Sequence, residues 1–276
     1  MNISSALLIT AGLLCGCSSP PKFRVTSGAS YLDARAQPGQ IPVVVGHPDY
    51  DNLEVLGKVW AFQWASNGFS TVSEKDLLYQ LSVPGGALGA EQIVGAQSST
   101  LCVFEGWVGG LGNDIAETEG MAMWASGLAV RPRGATHMHE PEPYILALDP
   151  ILGVKPSSSL DVLIRAGVRS ILEQRGYYVQ MVDGEDEYKA PVGSRFSGTL
   201  SGSGPVTLTC KISSLSGQVL WEGSRELALK GGEDDELWTD TGFFAGQGVT
   251  GGGLGDGLYE NLYELLQSVP TLAKDL

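Results

Sequence analysis

Two imidazoles one residue apart, His137-Met138-His139-Glu140 with Glu142 just beyond, form the cluster in this chain whose donors best suit a transition metal. On an extended strand, residues i and i+2 point to the same side, so both rings face one ion, and the remaining histidine, His47, can join them. A metal-dependent hydrolase built on the His137/His139 loop is therefore one reading, although the helical HExxH spacing of a zinc protease is absent. The segment lies between Arg131-Pro132-Arg133-Gly134 and Pro141-Glu142-Pro143, and a proline-broken surface loop explains the same residues without an ion. We assign no metal ligand, no cofactor and no catalytic residue from it.

Other reactive types are arranged less favourably. No GxSxG elbow is present to expose a serine nucleophile. The carboxylates Glu185, Asp186 and Glu187, and those from Glu233 to Glu236, are contiguous. Sugar hydrolysis needs two carboxyls placed on either side of a bond, and calcium needs ligands at ordered spacing. Gly106 to Gly112 and Gly248 to Gly257 carry neither a P-loop lysine nor a GxGxxG opening a helix after a strand. With a net charge of -14, the chain repels phosphate backbones, which excludes nucleic acid as the main partner. Trp238, Phe243 and Phe244 lie between an acidic turn and a glycine-rich run, where burial within the chain is hard to arrange; they are expected to contact a partner.

The elements that position these groups are clearest in the second half. Tyr144 to Leu148 reads as a buried strand. Leu160, Leu163, Ile164, Val168, Ile171 and Leu172 recur at helical spacing, with Ser158 or Ser159 as cap, Asp161 at the positive end and Gly176 as the stop. Tyr177 to Val182 resumes strand character, completing a β-α-β unit. Asp183 to Gly204 reads as a long loop with at most one short strand. Val206 to Ile212 and Gln218 to Trp221 read as an antiparallel pair, and Arg225 to Leu229 as a third strand. A last helix is expected over Leu258 to Val269. In the first half, Ile41 to Val45 and Leu53 to Trp64 read as strands and Ser73 to Leu81 as a helix stopped by Pro84-Gly85-Gly86. Residues 101–108 read as a strand, and Ile115 to Leu128 as helix or irregular packing.

At the amino terminus, Ala6 to Leu14 is an apolar run too short to span a bilayer, and it closes on Leu14-Cys15-Gly16-Cys17 before the extended lead Ser18-Ser19-Pro20-Pro21. Those four residues resemble the lipobox of bacterial lipoproteins. The resemblance implies removal of residues 1–16 and acylation of Cys17, with Ser18 favouring the outer membrane. The competing reading of the run is a buried terminal strand or helix. Cys102 and Cys210 remain for thiol chemistry, and each sits in an alternating apolar segment; a disulfide and two buried free thiols both fit.

Residues 144–270, carrying Ile145-Leu146-Ala147-Leu148-Asp149-Pro150, Gly176-Tyr177-Tyr178-Val179 and Gly217-Gln218-Val219-Leu220-Trp221-Glu222-Gly223, resemble the small α/β domains of periplasmic lipoproteins of the curli-secretion, penicillin-binding-protein-activator and Pel-export type. That implies a non-catalytic, oligomeric envelope component. The expected class is α/β with a mixed sheet (strand-helix-strand, hairpin and carboxy-terminal helix) preceded by a β-rich region. The expected divisions are a signal peptide over 1–16, a lipidated tether over 17–40, a β-rich region over 41–143 and the α/β lipoprotein domain over 144–276. The expected partners are the outer membrane through the lipid, further copies of the chain and other envelope proteins. A monomeric tethered module that binds glycan or another ligand is the other alternative.

Overall fold

The structure is a computed structural model that describes residues 22–26, 41–66, 74–103, 120–133, 142–156, 158–182, 190–202, 206–227, 254–272 and 274–275. It has a mixed α/β architecture with two five-stranded sheets. The first contains β1 (Lys22–Thr26), β2 (Leu53–Ser66), β3 (Gln92–Val103), β4 (Gly120–Pro132) and the short β10 (Lys274–Asp275), in the order β10-β1-β2-β4-β3. Two short helices, α1 (Glu74–Gln80) and α2 (Ser82–Ala87), lie between β2 and β3 in the chain. The second contains β5 (Glu142–Leu148), β6 (Tyr178–Met181), β7 (Val192–Ser201), β8 (Val206–Ser214) and β9 (Val219–Leu227), in the order β6-β5-β7-β8-β9. Helix α3 (Ser159–Gln174) joins β5 to β6, and α4 (Leu254–Leu266) follows β9 in the chain.

Where its side chains are described, the first sheet is buried on both faces because its strands alternate two apolar sets. Leu56, Val59 and Ala61 of β2 cluster with Ala125 and Ala129 of β4 and with Leu77 and Leu81 from the α1 side. Val55, Trp60, Trp124, Leu128 and Val130 belong instead to the larger core that contains β5 and α3. A register shift between Val55 and Gly57 moves β2 from odd to even residues on the latter face. Lys58 is thereby delivered, with Trp60, to the side of the α/β unit.

The β-α-β reading holds. β5 pairs parallel with β6, and Tyr144 to Leu148 are all buried, as a parallel strand covered on both faces requires. Ser158 caps α3, its Oγ accepting from the Asp161 N–H at 3.4 Å. At the other end the Tyr177 N–H reaches the Leu172 carbonyl and the Gly176 N–H the Glu173 carbonyl, a Schellman stop with Gly176 at φ 101°. Leu258, Leu262, Leu265, Leu266 and Val269 are buried, and α4 packs beside α3 and over β9. The Arg175 Nε donates to the Val269 carbonyl at 2.6 Å, which ties the end of α3 to the end of α4.

Several local expectations are corrected. Pro84-Gly85-Gly86 lies inside α2 rather than ending a helix; Pro84 falls in the first turn, where its missing N–H costs no bond. The strand expected over 101–108 begins at Gln92, and the region expected as helix or irregular packing over Ile115 to Leu128 is the interior strand β4 from Gly120 onward. The Met-Ala-Met-Trp-Ala run of β4 favours helix intrinsically, but partners on both sides, β2 and β3, supply two hydrogen-bonded ladders. Ile41 to Val45 is a single bridge, Val43 to Ile93, rather than a strand. The loop expected over Asp183 to Gly204 contains the ten-residue strand β7, held between β5 and β8. The separate third strand expected over Arg225 to Leu229 is the continuation of β9, and α4 begins at Leu254, four residues before the expected start. Lys22–Thr26 pairs with β2 inside the stretch expected as tether.

Cys210 is a free thiol in β8, 1% exposed, beneath the helices. Burial pushes it up to about 12, whereas an unfolded chain ionises its thiol near about pH 8.5. The native state therefore holds a proton that the unfolded state has lost, and stability falls as pH rises through that window, by at most about 1.4 kcal/mol per pH unit. Burial also raises Tyr144 and Tyr178, which deepens the loss above about pH 10. Lys58, lowered by burial, acts in the opposite sense. Melting temperatures between pH 8 and 11 should fall for the native chain from about pH 9. For Cys210→Ala they should start lower and decline less below pH 10; equal slopes would refute the assignment.

Candidate functional site

The densest polar constellation among the described residues lies where the first sheet meets the end of α3. Lys58 from β2 is 1% exposed and uses all three ammonium protons. Its Nζ donates to the main-chain carbonyls of Glu173 and Tyr177, each at 2.7 Å, and to Glu173 Oε2 at 2.5 Å. One of these acceptors, the Glu173 carbonyl, lies at the negative end of α3 and the Tyr177 carbonyl lies in the turn that follows, so Lys58 sits at the end of a helix 115 residues away in sequence.

Glu173 is equally committed. Its Oε1 accepts from Gln97 Nε2 at 2.9 Å and from the Val179 N–H at 2.7 Å; its Oε2 accepts from Ser126 Oγ at 3.0 Å as well as from Lys58. Gln97 Oε1 in turn accepts from Arg169 Nη2 at 2.5 Å, and the Arg169 guanidinium lies 5.8 Å from the Trp124 ring centre. Three strands of one sheet and both ends of the α3–β6 turn thus share one carboxylate. Burial pushes the Lys58 ammonium below its ordinary value, and the Glu173 charge opposes that shift.

A second cluster adjoins it. The Tyr178 hydroxyl donates to the Gly95 carbonyl at 2.7 Å and lies 3.3 Å from His47 Nε2; His47 Nδ1 lies 2.8 Å from the Tyr50 hydroxyl. Because the Tyr178 proton goes to Gly95, Nε2 is placed to donate to Tyr178, while Nδ1 pairs with the Tyr50 hydroxyl. Desolvation raises both phenols, so each stays protonated near neutrality. Gly95 has φ 58°, and a Cβ there would meet His47 Cε1 and the Tyr178 hydroxyl, both at 2.5 Å.

A third cluster, the charged pair Asp161–Arg165, lies at the carboxyl ends of the parallel strands, the usual place of a ligand crevice in an α/β sheet. Arg165 donates to the Val182 carbonyl at 2.7 Å and lies 3.7 Å from Asp161, whose Oδ1 accepts from the Ile151 N–H at 3.1 Å. Asp161 and Arg165 are thus tied to the main chain at this end of the strands.

His47, expected as a possible third metal ligand, has both ring nitrogens in this tyrosine cluster. Glu142 opens β5 in register with Val192. His137, His139, Cys17, Trp238, Phe243 and Phe244 lie outside the described residues, and so do both acidic runs. Among the described residues no three His, Cys, Asp or Glu side chains are grouped to hold a metal ion. Neither Lys58 nor Glu173 stood out in the sequence. The only signals were a lysine inside an otherwise apolar strand and an acid at the carboxyl end of a helix, where the dipole disfavours it.

No protein-family model matches the chain, and no curated protein matches it. Among solved structures, a single-site variant of PelC from Paraburkholderia phytofirmans, a dodecamer, is similar over 44% of this chain and 84% of its own at 15% identity, with a TM-score of 0.30. The PelC dodecamer in a second crystal form matches over the same shares at 14% identity and the same score. At that score the likeness is partial and carries no argument about function.

Severing a buried ion pair leaves an uncompensated charge and costs about 3–5 kcal/mol. Lys58→Met should therefore lower the free energy of unfolding in urea by about that amount, and a loss under about 1 kcal/mol would show that the pair is dispensable. Gly95→Ala should displace His47 or Tyr178, seen as a loss of the His47 imidazole's slow-exchange NMR signal with reduced stability.

Proposed function

We propose that this chain is an envelope lipoprotein, anchored through an acylated Cys17, that works as a structural or assembly subunit of an oligomeric complex and not as an enzyme. One observation carries the non-catalytic part: the four buried charged side chains among the described residues, Lys58, Asp161, Arg165 and Glu173, are bonded to the fold itself. A general acid, base or electrophile needs a free coordination site facing substrate, and these groups spend theirs on carbonyls, amides and each other. The lipobox-like Leu14-Cys15-Gly16-Cys17 supports the anchor and the envelope location. Net charge of -14 supports partners other than nucleic acid.

Subunit contact is supported by β9. Among the described residues it is an edge strand of the second sheet, with Val219 51% and Leu220 46% exposed. An uncovered edge with exposed apolar residues is a template for another chain. Trp238, Phe243 and Phe244, in the segment between β9 and α4, are proposed as further contacts.

Light scattering on detergent-extracted protein should give a discrete multimer, and labelled palmitate should enter the native chain but not Cys17→Ala. A monomer that takes up palmitate would retain the anchor and reject the assembly role, shifting the reading to a tethered binding module. Absence of label would reject the anchor.

A further inference from the structure

The two edges of the second sheet are treated differently by the fold. Just past β6, the Val182 N–H donates to the Leu148 carbonyl at 3.0 Å. Alternation along the strand then turns the Val179 N–H away from β5, to the side where an added strand would come, and there it donates to Glu173 Oε1 at 2.7 Å. Strand β4 of the first sheet also lies against β6. The β6 edge is thus closed by the chain itself. At the other edge, β9 has β8 as its ladder partner, and among the described residues nothing pairs with its outer side. Head-to-tail growth needs β9 of one copy to enter the β6 edge of the next, which is closed. An edge that cannot use its opposite can still pair with its own kind, and that contact is two-fold and self-limiting.

The residues of β9 suit such a pair. Its odd positions face α4: Trp221 Nε1 donates to Ser268 Oγ at 3.1 Å, Arg225 Nε donates to Asn261 Oδ1 at 3.1 Å, and Arg225 also pairs with Glu264. A Cβ on Gly223 would meet Leu265 Cδ1 at 3.0 Å on the same face. Glu222, Ser224 and Glu226 are exposed on the other face. Across a two-fold axis normal to the sheet, like face continues like face, so odd residues lie opposite odd and even opposite even. With Gly223 opposite itself, all nine residues of Val219–Leu227 are used. Trp221 then meets Arg225, Val219 meets Leu227, Leu220 meets Glu226 and Glu222 meets Ser224. Indole against guanidinium and apolar against apolar are favourable cross-strand pairs. Moving the centre by one residue sets Glu222 opposite either Glu222 or Glu226, and like charges directly opposite are destabilising.

We propose that β9 pairs antiparallel with β9 of a second copy about a two-fold axis at Gly223, joining two five-stranded sheets into one continuous sheet. The proposal rests on the reading of the chain as an assembly subunit and specifies the contact through which its copies pair. The exposed Val219 and Leu220 at the start of the strand are covered by the end of the partner strand.

The test uses full-length, detergent-extracted protein carrying Glu222→Cys or Ser224→Cys, both at exposed positions, in variants that melt with the native chain. Each is oxidised alone and as an equal mixture of the two. Position 222 of one copy lies opposite position 224 of the other, so the mixture should give disulfide-linked dimer several-fold above either variant alone, with mass spectrometry placing the link between two β9 peptides. Light scattering on the same samples should give an even number of copies. A multimer whose mixture links no better than the single variants, or one with an odd number of copies, would overturn the β9 pairing and leave the subunit role standing. A monomer would overturn both.

Discussion

The bond on which the molecule depends is that between Lys58 and Glu173, because it is the place where two separately built halves become one. The first sheet can satisfy its ladders internally, and so can the β5-α3-β6 unit. What neither supplies alone is a partner for its buried charge. Lys58 adds a cation from the first sheet to the Schellman stop of α3, and Glu173 meets it with a carboxylate that also holds Ser126, Gln97 and the Val179 amide. Such a network has little tolerance for partial assembly, since each buried donor left unmade costs about 1–3 kcal/mol. It specifies one docking of sheet on helix among the many that apolar contact alone would allow.

That specificity explains how the apolar surfaces are used. The larger core runs without interruption from Trp60 and Trp124 of the first sheet through β5 and α3 to Leu262 and Leu266 of α4. The smaller core, under α1 and α2, is built from residues such as Ala61, Ala125 and Ala129, which let the short helices approach the sheet closely. A bulge at Val55 and Gly57 decides which side chains enter which core. Without it Lys58 would face the smaller apolar core under α1 and α2, away from Glu173.

The same economy bears on function. Groups that could do chemistry elsewhere, a buried lysine, a glutamate, a histidine between two phenols and an aspartate-arginine pair, are placed as struts. Among the described residues, β9 stands at an edge of the second sheet with Val219 and Leu220 exposed.

The sequence by itself determined the elements whose signals are local. The 3.6-residue spacing of Leu160 to Leu172, the Ser158 cap and the Gly176 stop place α3; the unbroken apolar run of Tyr144 to Leu148 places a strand covered on both faces, and the heptad-like leucines place α4. Each signal lies within one turn or one strand and needs no partner to be legible. Tertiary structure alone decided β4, β7 and the pairing of Lys22–Thr26. Met121 to Ala125 prefers helix, Val192 to Ser201 is poor in strand formers, and both become strands because flanking strands offer ladders on both sides. Tertiary structure also decided the union of Lys58 with Glu173, since two residues so far apart in sequence carry no shared pattern until the fold brings them within one hydrogen bond.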